Sequence, residues 1–352
     1  MAGLADLRIA MGTSIFLVAF IFAAFLGAVL FILDVFFINL SFIGSILLAL
    51  GGTALFILFE YLVGPAIVQS STHLHYLESG DNPWLESTVK ELADKSGIPT
   101  PKLAIVSDNM PNAFTFGRTA NSATLAVNEG LLKNLNENEI KGVIGHELGH
   151  IKHKDYIVMT ILSALPLLAY LLARGTWTAA SYMRGGKKDS GSVRAGFFAV
   201  AAISYLVYFV SLLCVMRLSR LREHYADAYS AYLTSSPRSL ESALAKITYG
   251  LSLSEKAPSG ARAFYIEDPA LAKKEVQVIM EKKDEYDLNK DGVLDERELE
   301  LAMEKEAKST WVKLNTLFAT HPPTFKRILL LHEIETEMDS GRYTADRVYS
   351  HV

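Results

Sequence analysis

The stretch Asn136–Tyr156, NENEIKGVIGHELGHIKHKDY, decides how the rest of the chain is read. Asn136 with Glu139 three positions later is an asparagine form of a capping box, so a helix starts there. Ile140, Val143, Ile144 and Leu148 recur at helical spacing and give that helix an apolar stripe. His146, Glu147 and His150 lie on it. Residues four apart share a helix face, so both imidazoles can reach one ion. Glu147, one step round, is placed to take a proton from a water held by that ion. Two neutral imidazoles and a carboxylate form an open catalytic set, and zinc is the expected ion, one per chain. The plain alternative is a helix with two surface histidines. The cap, the stripe and the apolar run that follows favour the metal.

That apolar run, Ile157–Ala173, is one of four long enough to cross a bilayer, which takes about 20 helical residues. The others are Met11–Leu33, about Phe42–Phe59, and Ala195–Met216. The first is too long for the apolar part of a signal peptide and reads as an uncleaved span. The third, at the short limit, can also be read as a buried core helix. The expected organisation is a membrane hairpin at 1–63, a polar segment at 64–155, a second hairpin at 156–216 and a polar remainder from 217. Each hairpin crosses twice, so both polar segments face one side of the membrane. The loop between the first two spans has no Lys or Arg, which leans toward that loop being outside and the polar segments cytoplasmic.

Composition agrees with a membrane protein. Of 352 residues, 50% are hydrophobic and 20% charged, and the mean hydropathy of +0.23 is high for a wholly soluble chain. The net charge of -4 gives no bulk reason to bind nucleic acid. One cysteine, Cys214, excludes an internal disulfide and any multi-cysteine metal site.

A catalytic zinc needs a third protein ligand. Leu218–Leu233 reads LSRLREHYADAYSAYL, with Glu223 and Asp227 again four apart, just after the fourth span. The two crossings put this segment on the same side as His146 and His150. Glu223 can then complete the set and leave a position open for water and substrate. Asp227 is expected to hydrogen-bond a ligand imidazole. The bland reading is ordinary solvated helix charge. His153 and His224 are weaker ligand candidates.

At this point the chain resembles the HtpX-type membrane zinc metalloproteases, gluzincins related to the CAAX prenyl proteases. The resemblance rests on His146-Glu147-Leu148-Gly149-His150 and on Arg222-Glu223-His224-Tyr225-Ala226-Asp227. It rests further on Asn112-Ala113-Phe114 with Gly117, and on Thr320-His321-Pro322-Pro323-Thr324 with Arg327. It implies metal ligands at His146, His150 and Glu223 and a catalytic base at Glu147. It also implies that Asn112, Ala113 and Phe114 form an edge strand near the zinc, on which an extended substrate could pair. From composition alone, a hairpin turn with Phe114 and Phe116 in the core is as good. His321, by analogy with the family, could hydrogen-bond the developing oxyanion; otherwise it only packs.

Pro83–Ser96 should be a helix capped by Asn82 and ended by Gly97. Lys102–Ser107 and Thr124–Asn128 read as short strands. Residues 287–298, DLNKDGVLDERE, place Asp287, Asn289, Asp291, Val293, Asp295 and Glu298 at the ligand positions of an EF-hand calcium loop, with Gly292 at the sharp turn. The flanks Lys273–Tyr286 and Glu296–Ser309 read as helices. The plain alternative is an acidic turn between helices. Family resemblance says nothing about this element, so 266–310 reads as an insertion between a third-ligand region at 217–265 and a C-terminal part of the protease domain at 311–352.

The expected fold is mainly α with a small β-sheet: a multi-pass membrane protein with two helical hairpins and a zincin-like metalloprotease domain. The expected substrates are membrane proteins or unfolded polypeptides, with damaged membrane proteins implied by the resemblance, and the expected cofactors are zinc and calcium. Three rivals stand beside this reading. A calcium sensor without catalysis leaves His146, Glu147, His150 and Glu223 unexplained. A transporter should carry charges inside its spans, and these four carry none. A prenyl-protein protease needs a large chamber, for which four spans are few.

Overall fold

The structure, a computed structural model, describes scattered positions between 9 and 27 and residues 42–183, 190–252, 269–290, 296–309, 316, 319–343, 347–350 and 352. Most of the first apolar stretch therefore lies outside the described residues. The described chain is mainly helical with one small sheet. It divides into two compact units. One comprises Ile9–Gly64 and Ile157–Leu218; the other comprises Met1–Arg8, Pro65–Tyr156 and Ser219–Val352.

The first unit is built from long apolar helices. Helix α1 (Phe42–Thr72) continues past Glu60, where its apolar stretch was expected to stop. Leu47, Leu55, Leu58 and Phe59 on it are exposed. A soluble helix would bury such residues. Among the described residues, Leu50–Thr72 and Val193–Thr234 are long and apolar enough to cross a bilayer. Helix α5 (Asp155–Tyr182) and helix α6 (Ser190–Thr234) meet through the ring pairs Tyr170–Tyr208 and Trp177–Phe198. Buried positions on the two helices include Ala169, Ala173, Ala180, Ala201 and Ser204. Small residues let helix backbones approach closely where no hydrophobic effect drives association.

The second unit carries the sheet, in the order β1-β2-β4-β3. Its strands are β1 (Leu74–Tyr76), β2 (Lys102–Val106), β3 (Ala113–Phe116) and β4 (Thr124–Asn128). β2 and β4 are parallel, whereas β1 and β3 run antiparallel to their neighbours. β4 is buried throughout, and β3 forms one edge. Phe114 and Phe116 pack with Val68, Leu74, Ala104, Val106 and Ala126, so the segment is an edge strand whose phenylalanines are core; β3 pairs with β4 and not with β2, so the expected alternative of a hairpin turn ahead of it does not form. Helix α2 (Pro83–Ser96) has the expected ends. Asn82 Oδ1 accepts from Leu85 N at 3.1 Å, and Gly97 closes the helix in the left-handed region, φ 63.

The main core gathers Leu85, Val89 and Leu92 of α2 with Val143, Ile144 and Leu148 of helix α4 (Glu137–His153). A short helix, α3 (Glu129–Asn134), precedes α4. The same core takes Leu240 and Leu244 of α7 (Pro237–Ser252) and Ile328 and Leu331 of α11 (Thr324–Asp339). Between α7 and α11 lie α8 (Pro269–Glu281), the short α9 (Lys283–Tyr286) and α10 (Glu296–Ala307). The helix expected over Lys273–Tyr286 thus starts earlier and is interrupted at Lys282.

Candidate metal centre

α4 begins as the sequence requires. Glu139 N donates to Asn136 Oδ1 at 3.0 Å and Asn136 N donates to Glu139 Oε2 at 2.8 Å. Each satisfies a backbone donor that the first helical turn leaves orphaned. Two glycines then bring α4 against the C-terminal part of α6, while a third, Gly142, lies against Leu240 of α7. A Cβ at Gly149 would lie 3.2 Å from Ala226 Cα, and one at Gly145 would lie 2.9 Å from Ser230 Oγ. Ser230 Oγ donates to Gly142 O at 2.6 Å. Only with those side chains missing can the backbones lie this close, and that closeness carries Glu223 to the histidines.

His146 Nε2 lies 3.1 Å from His150 Nε2 and 3.3 Å from Glu223 Oε2, and His150 Nε2 lies 3.5 Å from Glu223 Oε1. Zinc bonds of about 2.0–2.1 Å in a tetrahedron put ligand atoms roughly 3.3–3.4 Å apart. The set therefore fits zinc. Each imidazole is oriented from behind. His146 Nδ1 faces Asp227 Oδ1 at 2.9 Å, and Asp227 receives Arg327 Nε at 2.8 Å and Arg327 Nη2 at 2.7 Å. His150 Nδ1 faces Asp155 Oδ2 at 2.7 Å, and Asp155 Oδ1 faces Arg222 Nε at 2.8 Å. With each Nδ1–H given to a carboxylate, both Nε2 lone pairs converge on one point, beside a buried Glu223 oxygen without a hydrogen-bond donor. Two lone pairs and a carboxylate repel one another until a cation sits between them.

Glu147 is buried, and burial pushes its carboxyl pKa up, against the nearby imidazoles and a Thr115 hydrogen bond that pull it down. Thr115 belongs to β3, so the edge strand touches the expected base. Asn112 is buried just ahead of β3, and its carbonyl accepts from Asn128 N at 2.9 Å. Ala113 and Phe114 are the first residues of β3 and pair with Val127 and Ala126. His321 Nε2 lies 3.9 Å from Glu223 Oε1, and its Nδ1 is 3.0 Å from Thr320 Oγ1. His153 points elsewhere: its Nε2 meets Tyr349 Oη at 2.9 Å, and burial lowers its pKa to about 4. His224 is not among the converging ligand atoms.

The sequence reading missed the roles of Asp155, Arg222 and Arg327. Asp155 follows Lys154, which adopts the left-handed conformation, φ 60. α4 thereby ends there, and a carboxylate five positions along comes back to His150. An acid directly beyond the end of the motif helix was the available signal. Arg327 is fully buried, and nothing local in the sequence announces that.

In the 287–298 loop, Asp291, Val293 and Asp295 lie outside the described residues. Asp287 and Glu298 are buried, whereas Asn289 is exposed. Glu298 Oε1 accepts from Leu288 N at 2.7 Å and Asn289 N at 3.1 Å.

The model of peptidase family M48 matches residues 79–335. The chain belongs to that family. A protease HtpX homolog of Methanothermobacter thermautotrophicus is 38% identical over 60% of this chain and 79% of its own length. One from Aeropyrum pernix is 32% identical over 80% of this chain and 84% of its own. The crystal structure of S. mikatae Ste24p aligns at TM-score 0.45 and 19% identity, over 93% of this chain and 66% of that one. The protein is an HtpX-type metalloprotease, a membrane zinc endopeptidase that hydrolyses peptide bonds.

Proposed function

We propose that this M48 endopeptidase holds its zinc through His146, His150 and Glu223, with Glu147 as general base. The convergence of the three donor groups, 3.1–3.5 Å apart, carries the reading. When bound, zinc supplies Lewis acidity to the scissile carbonyl and the attacking water. Glu147 removes a proton from that water and later delivers it to the leaving amine. Asp227 and Asp155 keep both imidazoles turned with Nε2 inward. His321 donates to the oxyanion of the tetrahedral intermediate. The substrates are unfolded polypeptides and membrane proteins, damaged ones included. An extended segment pairs with the β3 edge through backbone hydrogen bonds, which read conformation rather than sequence. The apolar helices make a multi-pass anchor, and the catalytic unit faces the cytoplasm; the absence of Lys and Arg between the first two apolar stretches supports that orientation.

The test is metal analysis with casein cleavage. Glu147→Gln should retain one zinc and lose about 10²–10⁴-fold in kcat. Retained activity rejects the base, and loss of zinc would mean that the residue does something else. Unchanged turnover in His321→Ala removes His321 from the mechanism.

We further propose that calcium binds the 287–298 loop. Glu298, at its last position, already reaches the first residues of the loop. The flanking helices are tied by Lys282 Nζ and Tyr286 Oη, which donate to Glu306 Oε1 at 2.6 and 2.5 Å. Calorimetry on the purified chain should record calcium binding that Glu298→Gln removes; absence of heat in the native chain rejects the site.

A further inference from the structure

The first turn of α11 and the residues that lead into it bear two groups beside the metal centre. His321 lies just ahead of it, and Arg327 lies within it and clamps Asp227 behind His146. Something must hold that turn. Its N-cap is Pro323, which offers no side-chain oxygen to the exposed amides. Pro323 O accepts from Lys326 N at 2.9 Å and Arg327 N at 3.3 Å, which leaves Thr324 N to be satisfied from outside the helix.

The acceptor comes from α8. Both Glu275 carboxylate oxygens lie 3.2 Å from Thr324 N, and Glu275 is fully buried. A carboxylate at a helix N-terminus also meets the positive end of the helix dipole. From the other side, Thr324 Oγ1 meets Thr248 Oγ1 of α7 at 3.0 Å. The two prolines before Thr324 restrict the backbone between it and His321. A displacement of Thr324 is therefore transmitted both to His321 and, three residues on, to Arg327.

We propose that Glu275 is a positioning residue for peptide hydrolysis, acting through Thr324 N–H to place His321 and Arg327 at the metal centre. The inference rests on the metal-centre reading above. It also gives the 266–310 segment a part in the chemistry that is independent of calcium.

The experiment uses the zinc-loaded full chain in detergent and a quenched-fluorescence peptide, with zinc content and thermal melting measured in parallel. Glu275→Ala should lower kcat at least tenfold, leave KM within twofold and keep one zinc per chain. Glu275→Gln, whose amide oxygen can still accept from Thr324 N, should recover kcat to within threefold of the native chain. Thr324→Pro removes the donor without touching α8 and should reproduce the alanine result; it is the variant to read if Glu275→Ala does not fold. The proposal is overturned if kcat per zinc-loaded molecule stays within twofold in Glu275→Ala or, where that variant does not fold, in Thr324→Pro, or if Glu275→Gln is as impaired as Glu275→Ala. Glu147→Gln runs as the control. If it remains active, the metal-centre reading fails, whatever Glu275 does; if it is inactive while Glu275→Ala is normal, only the role of Glu275 falls.

Discussion

Two carboxylate–arginine arms orient the two histidines, and they are built differently. Behind His146, the arm is long-range: Asp227 comes from α6, and Arg327 comes from α11, 100 residues beyond Asp227. Its side chains are sealed, at 1% exposure for His146 and 0% for Asp227 and Arg327. Behind His150, the arm begins locally, with Asp155 only five positions away. It is more open, at 15% for His150 and 7% for Arg222. The same chemical device is thus made once by tertiary packing and once around the left-handed residue Lys154 that ends α4. The sealed arm belongs to the core and cannot fail without the fold; the open arm can fail alone.

The strongest test breaks the sealed arm. Arg327→Ala leaves Asp227 buried without its cation, and removing one partner of such a pair costs about 3–5 kcal/mol. Chemical denaturation should record that loss, and metal analysis should find zinc depleted. The next leaves both arms in place and probes the last turn of α4. His153 is neutral in the fold, its pKa held near 4 by burial, against about 6.5 unfolded. The unfolded chain takes the proton first, so stability is full above pH 6.5 and drains away as the pH falls toward 4. At about 1.36 kcal/mol per unit, that is at most about 3 kcal/mol. Melting curves for His153→Phe should fall less steeply than those of the native chain over that window. The mildest test breaks the open arm. Asp155→Asn should weaken zinc about 10–100-fold with a melting curve nearer the native one than that of Arg327→Ala. Equal collapse of both variants would erase the distinction between the arms.

Local features were the legible ones. The Asn136–Glu139 box, the ends of α2 and the strands at Lys102 and Thr124 are set by neighbours within a few residues, and they stand where the sequence put them. Glu223 was reachable by reasoning from two expected bilayer crossings, which would return the chain to the same side. Four things were not. The Asp227–Arg327 clamp and the Glu275–Thr324 contact join segments whose spacing carries no periodic signal. The glycines of α4 could be seen, but the backbone they admit could not. The continuity of α6, from its apolar part through Glu223, was also missed, because Arg217 reads as the end of a span while the helix itself does not break there.

The distance along the chain between His146 and Arg327, 181 residues, has a consequence for synthesis. A ribosome finishes the histidine motif long before it reaches the arginine that steadies it. Until then the nascent polypeptide carries the histidine motif without the guanidinium that backs it, so the clamp behind His146 can close only after Arg327 has been made.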